Sequence, residues 1–303
     1  MDNKQLTVCL TGATGWLGKS LLHSSRNPQE QHRFVAYGRS KTVITTDAGI
    51  AIENYKFDLK DIARREFDVF APFAFATRDK SLQMKDQDYI SLNRELIADS
   101  VKVIRAGNVG SVLNISSGVV TKKSESQLRD DSYSVYANLK QFQEETFADA
   151  CESVGIPLIN CRVFSLSGKD MKEPLKYAIG NLVSQVTTEG SIQLNSKASV
   201  VRRYMDSRDL MVLLLEYVKR GNSVSVESGG ERFELGELAK LVLRHFNLST
   251  NSITYVNTSA SLTNEYFSLN NHFEVISEET NYPLTGILKQ IENVAKSLEL
   301  LHS

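Results

Sequence analysis

The sequence predicts an α/β protein built on a doubly wound parallel sheet with a smaller C-terminal lobe. Three observations predict it. Short apolar runs alternate with helical patterns through the first half, the first such run ends in three glycines spaced three apart, and after about residue 168 the alternation is lost. Strands separated by helices call for right-handed crossovers and so for parallel pairing.

The elements follow in order. Strands are expected at 6–10, 33–37 (RFVAY), 68–76 (DVFAPFAFA), 111–115 (SVLNI) and 157–164 (PLINCRVF), with helices at 16–25, 86–106 and 136–154. Further on, helices are expected at 174–188, 207–219, 233–246 and 284–301, with a short strand at 191–194. SVSVES at 223–228 reads as a late strand of the main sheet. The expected division is residues 1–168 with 201–228 returning to them, and a smaller lobe of 169–200 and 229–303.

Composition excludes several classes of function. Lys plus Arg number 35 against 36 Asp plus Glu, a net charge of −1 that leaves no electrostatic footprint for nucleic acid or an anionic membrane. Cys9, Cys151 and Cys161 lack metal-ligand spacing and read as packed thiols of a reducing compartment, and the five histidines form no zinc pattern, so no metal is expected. The start MDNKQ leads directly into a strand without a signal-peptide stretch, and LMVLLLEYV at 210–218 is too short to span a bilayer. A cytoplasmic protein is expected.

The glycines carry the first chemistry. In LTGATGWLGKS, Gly12, Gly15 and Gly18 sit between a strand and a helix. The first glycine permits a tight turn, the second lets a pyrophosphate approach the backbone, and the third lets helix pack on strand, while the helix start offers N–H donors to phosphate. This is a Rossmann-like dinucleotide site. At the end of the second strand, AYGRSK places Arg39, Ser40 and Lys41 where an acid would hold the ribose of NAD. Arg39 can pair with a 2′-phosphate, which favours NADP(H) and leaves NAD(H) open.

In SYSVYANLKQF, Tyr136 and Lys140 stand at i and i+4, one turn apart on one helix face. Upstream, LNISSGVV ends an apolar strand with Ser116, Ser117 and Gly118. A tyrosine working as acid or base near neutrality needs its pKa brought down from about 10. An ammonium about 5 Å away contributes roughly 3 kcal/mol at an effective dielectric near 20, about two pKa units.

The ordered set TGATGWLG, SSG and Tyr136-x-x-x-Lys140 resembles the extended short-chain dehydrogenase/reductases. VRRYMDSRDL at 201–210 is similar to a segment of their NAD(P)-dependent nucleotide-sugar epimerase/dehydratase branch, and the similarity runs from residue 6 to at least 300. The resemblance implies that Tyr136 is the general acid/base, that Lys140 holds the nicotinamide ribose and lowers the tyrosine pKa, and that Ser117, three residues before Val120, binds the reacting oxygen. It also implies a cofactor site of Gly12, Thr14, Gly15, Trp16, Leu17, Gly18, Arg39, Ser40, Asp58 and Leu59. The turn Ala74, Phe75 and Ala76, with Asn93, Tyr136 and Lys140, completes it. Arg202 would grip a substrate diphosphate, its plain alternative being a salt bridge to Asp206 or Asp209. Ser165 stands where many relatives have a substrate-binding asparagine, and the family resemblance suggests a homodimer through the helices at 86–106 and 136–154.

Departures narrow the reading. Gly118 and Val119 replace the Asp-Glu pair of dehydratases, Arg203 replaces an acid, Asp206 a histidine and Pro72 a histidine. The expected function is an oxidoreductase acting on a small-molecule nucleotide sugar, most simply an NADPH-dependent keto-sugar reductase. The alternatives are a nucleotide-sugar epimerase with retained NAD, a reductase of smaller carbonyl compounds, and a non-catalytic NADP(H)-binding sensor.

Overall fold

The computed structural model describes residues 5–24, 32–121, 131–196, 198–257 and 264–302. The chain opens with β1 (Thr7–Thr11), α1 (Trp16–Leu22), β2 (Arg33–Gly38), β3 (Thr42–Thr45), β4 (Ala51–Lys56), α2 (Leu59–Ile62), β5 (Val69–Pro72) and α3 (Arg78–Ser81). It continues through α4 (Asp86–Arg105), β6 (Val112–Ser117), a 3-10 turn at Gly118–Val120, α5 (Asp131–Val154) and β7 (Leu158–Val163). Next come β8 (Ser165–Ser167), α6 (Ala178–Glu189), β9 (Ile192–Ser196), β10 (Val200–Asp206), α7 (Ser207–Lys219) and β11 (Val224–Glu227). The last elements are β12 (Glu231–Glu234), α8 (Leu235–His245), β13 (Ile253–Asn257), β14 (Asn264–Glu265), α9 (His272–Glu279) and α10 (Ile287–His302).

Two compact units form. The first is Met1–Val163 with Met211–Glu227, the second Phe164–Leu210 with Ser228–Ser303. Among the described residues the first unit holds an eight-stranded sheet in the order β11-β7-β6-β5-β1-β2-β4-β3, parallel except for β3, which runs antiparallel to β4 at the edge. The strand order reverses between β1 and β5, where Cys9 lies opposite Phe70 and Thr11 opposite Pro72. A doubly wound sheet opens its ligand crevice at such a switch point, beyond the C-terminal strand ends.

The core explains the strands. Cys9, Val35, Tyr37 and Phe70 from the sheet pack with Ile62 of α2, Ile97 and Val103 of α4, and Phe147 of α5. The apolar runs that predicted strands are therefore the residues buried beneath helices, as a parallel sheet requires. All three cysteines are buried and free, and burial pushes their thiols up. No described helix is long and apolar enough to cross a membrane, and the described residues contain no cluster of metal-ligating side chains.

Several expectations need correction. The segment after β2, for which no element was expected, forms the hairpin β3–β4, whose Gly49 takes φ 77° between two runs containing β-branched residues. Such runs around a glycine turn are a hairpin signal that the apolar count missed. The strand expected at 68–76 stops at Pro72, where the chain turns and Phe73 N–H donates to the Thr11 carbonyl at 3.2 Å. The helix expected from residue 136 begins at Asp131.

Residues 201–210, expected in the first unit, lie in the second. β10 pairs there with β8, β12 and β14, and its Val201, Tyr204 and Met205 are buried. Its turn partner needs glycine: Gly230 has φ 98°, and a Cβ would stand 2.1 Å from the Tyr204 carbonyl oxygen.

Candidate active site

Beyond β1 the chain turns through Gly12 at φ 75°, where a Cβ would meet the Phe73–Ala74 backbone at 2.6 Å. A Cβ on Gly18 would stand 2.2 Å from the Gly12 carbonyl oxygen, so α1 rests directly on the turn. Gly15 is the N-cap of α1, with extended backbone. Around its Cβ position only the Gly12 carbonyl oxygen comes near, at 3.2 Å, leaving the backbone open to approach. Thr14 is exposed, and Trp16 and Leu17 are half-buried in the first turn of α1.

Arg39 and Ser40 follow β2 and are exposed. Asn54 of β4 pins this loop, its Nδ2 donating to the Ser40 carbonyl at 3.1 Å and to Thr42 Oγ1 at 3.2 Å. Asp58 caps α2, accepting from Lys60 N–H at 2.8 Å, while Leu59 packs half-buried against the core.

Asn93 organises the next strand end. It is fully buried on α4; its Oδ1 accepts from Ala76 N–H at 2.9 Å, and its Nδ2 donates to the Ala76 and Tyr89 carbonyls, each at 3.2 Å. The turn Ala74–Phe75–Ala76 is thereby held to α4 on one side and to Thr11, whose Oγ1 accepts from Ala74 N–H at 3.3 Å, on the other.

The held turn presents Phe75 to the catalytic candidates. Its ring meets Tyr136 edge-on at 6.1 Å between centroids, and Lys140 Nζ lies 3.7 Å from its centre. Lys140 Nζ also donates to the Ile115 carbonyl of β6 and to Gln143 Oε1, both at 2.9 Å. Ser117 ends β6, its Oγ accepting from Val119 N–H at 3.4 Å and its hydroxyl facing the Tyr136 phenol. The fold thus brings Ser117, Phe75, Tyr136 and Lys140 together.

Electrostatics differ from the expected activation. Burial pushes the Tyr136 phenol up to about 12, with the Ser117 hydroxyl acting the other way. Burial pushes Lys140 down to about 7, opposed by Glu144. The helix carrying both is anchored by Arg162 of β7, which grips Glu144 with both ends of its guanidinium at 2.6–2.9 Å. Burial works against the Glu144 charge, but its hydrogen bonds, Arg162 foremost, hold the carboxyl below its ordinary value.

In the second unit, Ser165 is half-buried on β8 opposite Tyr204. Arg202 reaches β14. Its Nη1 donates to the Val201 and Asn264 carbonyls at 2.8 and 2.9 Å, and its Nη2 to Asn264 Oδ1 at 3.1 Å. Asp209 is taken by Tyr282 Oη at 2.6 Å and Thr285 N–H at 2.6 Å. Arg203 binds Glu274 at 2.6 Å and the Gly230, Ser268 and Asn270 carbonyls. That explains a cation where an acid was expected.

A family model described as NAD dependent epimerase/dehydratase family matches residues 8–236. The chain belongs to this family. Solved structures of similar shape include the UDP-N-acetylglucosamine 4-epimerase of Methanobrevibacter ruminantium M1 in complex with UDP-N-acetylmuramic acid, at TM-score 0.77 and 15% identity over 98% of this chain and 99% of that one. The UDP-glucuronic acid 4-epimerase of Bacillus cereus, in complex with UDP-glucuronic acid and NAD, matches at 0.72 and 14% over 97% and 99%. The dTDP-glucose 4,6-dehydratase of Bacillus anthracis in complex with NAD matches at 0.70 and 12%, over 97% of each chain. Comparison with curated proteins gives no match.

Within this epimerase/dehydratase chain, sequence reading passed over Gln143, Asn54 and the Glu144–Arg162 pair. Gln143 stands three residues after Lys140, so helix spacing alone could have placed it beside the ammonium. Asn54 lay in a strand that was not expected.

Proposed function

We propose that this chain is an NAD(P)-dependent oxidoreductase of nucleotide sugars, most simply an NADPH-dependent keto-sugar reductase. The observation that carries the proposal is the gathering of Ser117, Tyr136 and Lys140 beside Phe75, in the same unit as the glycine turn. The residues present fit a dinucleotide: the backbone at Gly15 is open to a pyrophosphate, and exposed Arg39 and Ser40 follow β2 where a 2′-phosphate would be read. Leu59, Ala74, Phe75 and Ala76 would line its adenine and nicotinamide sides. When bound, that cofactor supplies the hydride.

The chain's own part is proton chemistry and orientation. A phenol pushed up to about 12 keeps its proton at neutral pH, the state in which reduction of a carbonyl begins. Ser117 and Tyr136 would hold the carbonyl oxygen with their hydroxyls, and Tyr136 would give its proton to that oxygen as the carbon is reduced to an alcohol. The Lys140 ammonium would favour the tyrosinate left behind. We assign substrate binding to the second unit, with Ser165 and Arg202; the Arg202 guanidinium would exchange Asn264 for a diphosphate. A homodimer through α4 and α5 belongs to the same reading, supported by Phe142 exposed on α5 under Arg94 of α4.

The test is purified protein with NADPH and a 4-keto nucleotide sugar. Loss of the reduced-nicotinamide absorbance is expected; no loss across several keto-sugars overturns the reductase. The second reading, an epimerase, is favoured by the NAD held in family-like structures. Mass spectrometry of the nucleotide that co-purifies distinguishes them, since tightly retained NAD moves the assignment to the epimerase.

A further inference from the structure

We infer that Gln143 is a positioning residue for the Lys140 ammonium, fixing its direction and sustaining its charge. An ammonium carries three protons. Two of those on Lys140 are directed, one to the Ile115 carbonyl and one to Gln143 Oε1, both at 2.9 Å. With the Phe75 ring centre 3.7 Å from Nζ, the carbonyl, the amide and the ring form a cage around the cation. Gln143 is 1% exposed and Lys140 6%, so neither group has water to replace the other.

The amide is the polar side chain of this cage. Ile115 contributes backbone, whatever its side chain. Phe75 contributes a ring face, which attracts a desolvated cation. Gln143 Oε1 is an acceptor that does not titrate, and a buried ammonium stripped of such an acceptor gives up its proton. Burial already brings Lys140 down to about 7.

The charged surroundings leave this task to the amide. Glu144, the next residue of α5, raises the Lys140 pKa but is itself engaged by Arg162 of β7 at 2.6 Å. Tyr136 lies one turn before Lys140 on α5. Asp79 of α3 and Tyr89 of α4 bear on Tyr136. The Ile115–Ser117 stretch of β6 and the Phe75 turn bring no charge.

The functional meaning rests on the reading of Lys140 as the group serving cofactor and Tyr136; the titration that tests the positioning needs neither. Full-length protein labelled at lysine Cε is titrated by NMR, with the Lys140 signal assigned by its loss in Lys140→Arg. Gln143→Leu is expected to lower the Lys140 midpoint by about one pH unit, and Gln143→Glu, which keeps the size and adds a charge, to raise it by as much. Should Gln143→Leu not fold, Gln143→Glu alone decides. A midpoint that stays at the wild-type value in the folded variants overturns the inference, because mere packing would alter stability and leave the titration in place. If the midpoints move as expected while wild-type protein binds neither NADPH nor NAD at any pH, the positioning stands and the proposed function falls.

Discussion

Tyr136 was legible from its spacing to Lys140 and from the serine at the end of an apolar strand. Its protonation was not, because burial depends on Phe75 and Ser117, which are distant in sequence. The phenol is loaded with a proton, and Lys140 is tied to Ile115 and Gln143. Tyr136→Phe should lower turnover by roughly a hundred-fold or more while cofactor affinity, measured by fluorescence titration, stays within about three-fold. A sensor without catalysis would keep its partner effect in that variant.

Asp206 offers a second test at this scale. Burial, with Asp209 next, pushes it up to about 6. Between the unfolded value of about 3.9 and that point, the folded chain keeps a proton that the unfolded chain releases. Stability therefore falls as pH rises through that window, and the loss is complete above it. Asp206→Asn should flatten the fall and add at most about 3 kcal/mol near pH 7, read from urea midpoints across the range.

Among the elements, α4 matters for what it holds. Asn93 was read as a family echo on a helix; the structure makes it the clamp on Ala76, and through Ala76 the support of Phe75. Asn93→Ala leaves the Ala76 N–H without its acceptor and should cost about 1–3 kcal/mol. Cofactor affinity should fall with it, measured by urea unfolding and NADPH titration on the same preparation. A loss of stability with unchanged affinity would separate the clamp from the site. The hairpin β3–β4 was missed for a physical reason. β3 forms the sheet edge and β4 lies next to it, each with single buried residues set among open ones, so neither yields the continuous apolar run that marked the central strands.

For the whole molecule, the division into units follows β-pairing. β7 runs straight from the first unit into β8 of the second, and α7 carries the chain back, with Leu210 in one unit and Met211 in the other. No composition change marks either crossing, which is why 201–210 was placed on the wrong side. If the first unit holds the dinucleotide, NADPH at roughly a hundred-fold over its Kd should stabilise the protein by about 2.7 kcal/mol. For a chain of this size that is roughly a 5 °C rise in Tm, read by scanning calorimetry. Equal concentrations of NADH giving the larger rise would reverse the assignment drawn from Arg39.

By itself the sequence determined the doubly wound sheet, the glycine turn and the spacing of Tyr136 and Lys140. Those rest on local signals: apolar runs long enough to be buried strands, glycines where a side chain would strike backbone, and residues one helical turn apart. Only the tertiary structure decided that Arg202 holds Asn264, that Arg203 is neutralised by Glu274, and that Gln143 shares the Lys140 ammonium with a β6 carbonyl. Each of those depends on which distant segment a side chain meets and on how much water is left beside it. Burial sets both the hydrogen-bond partner and the charge, and burial belongs to the folded chain.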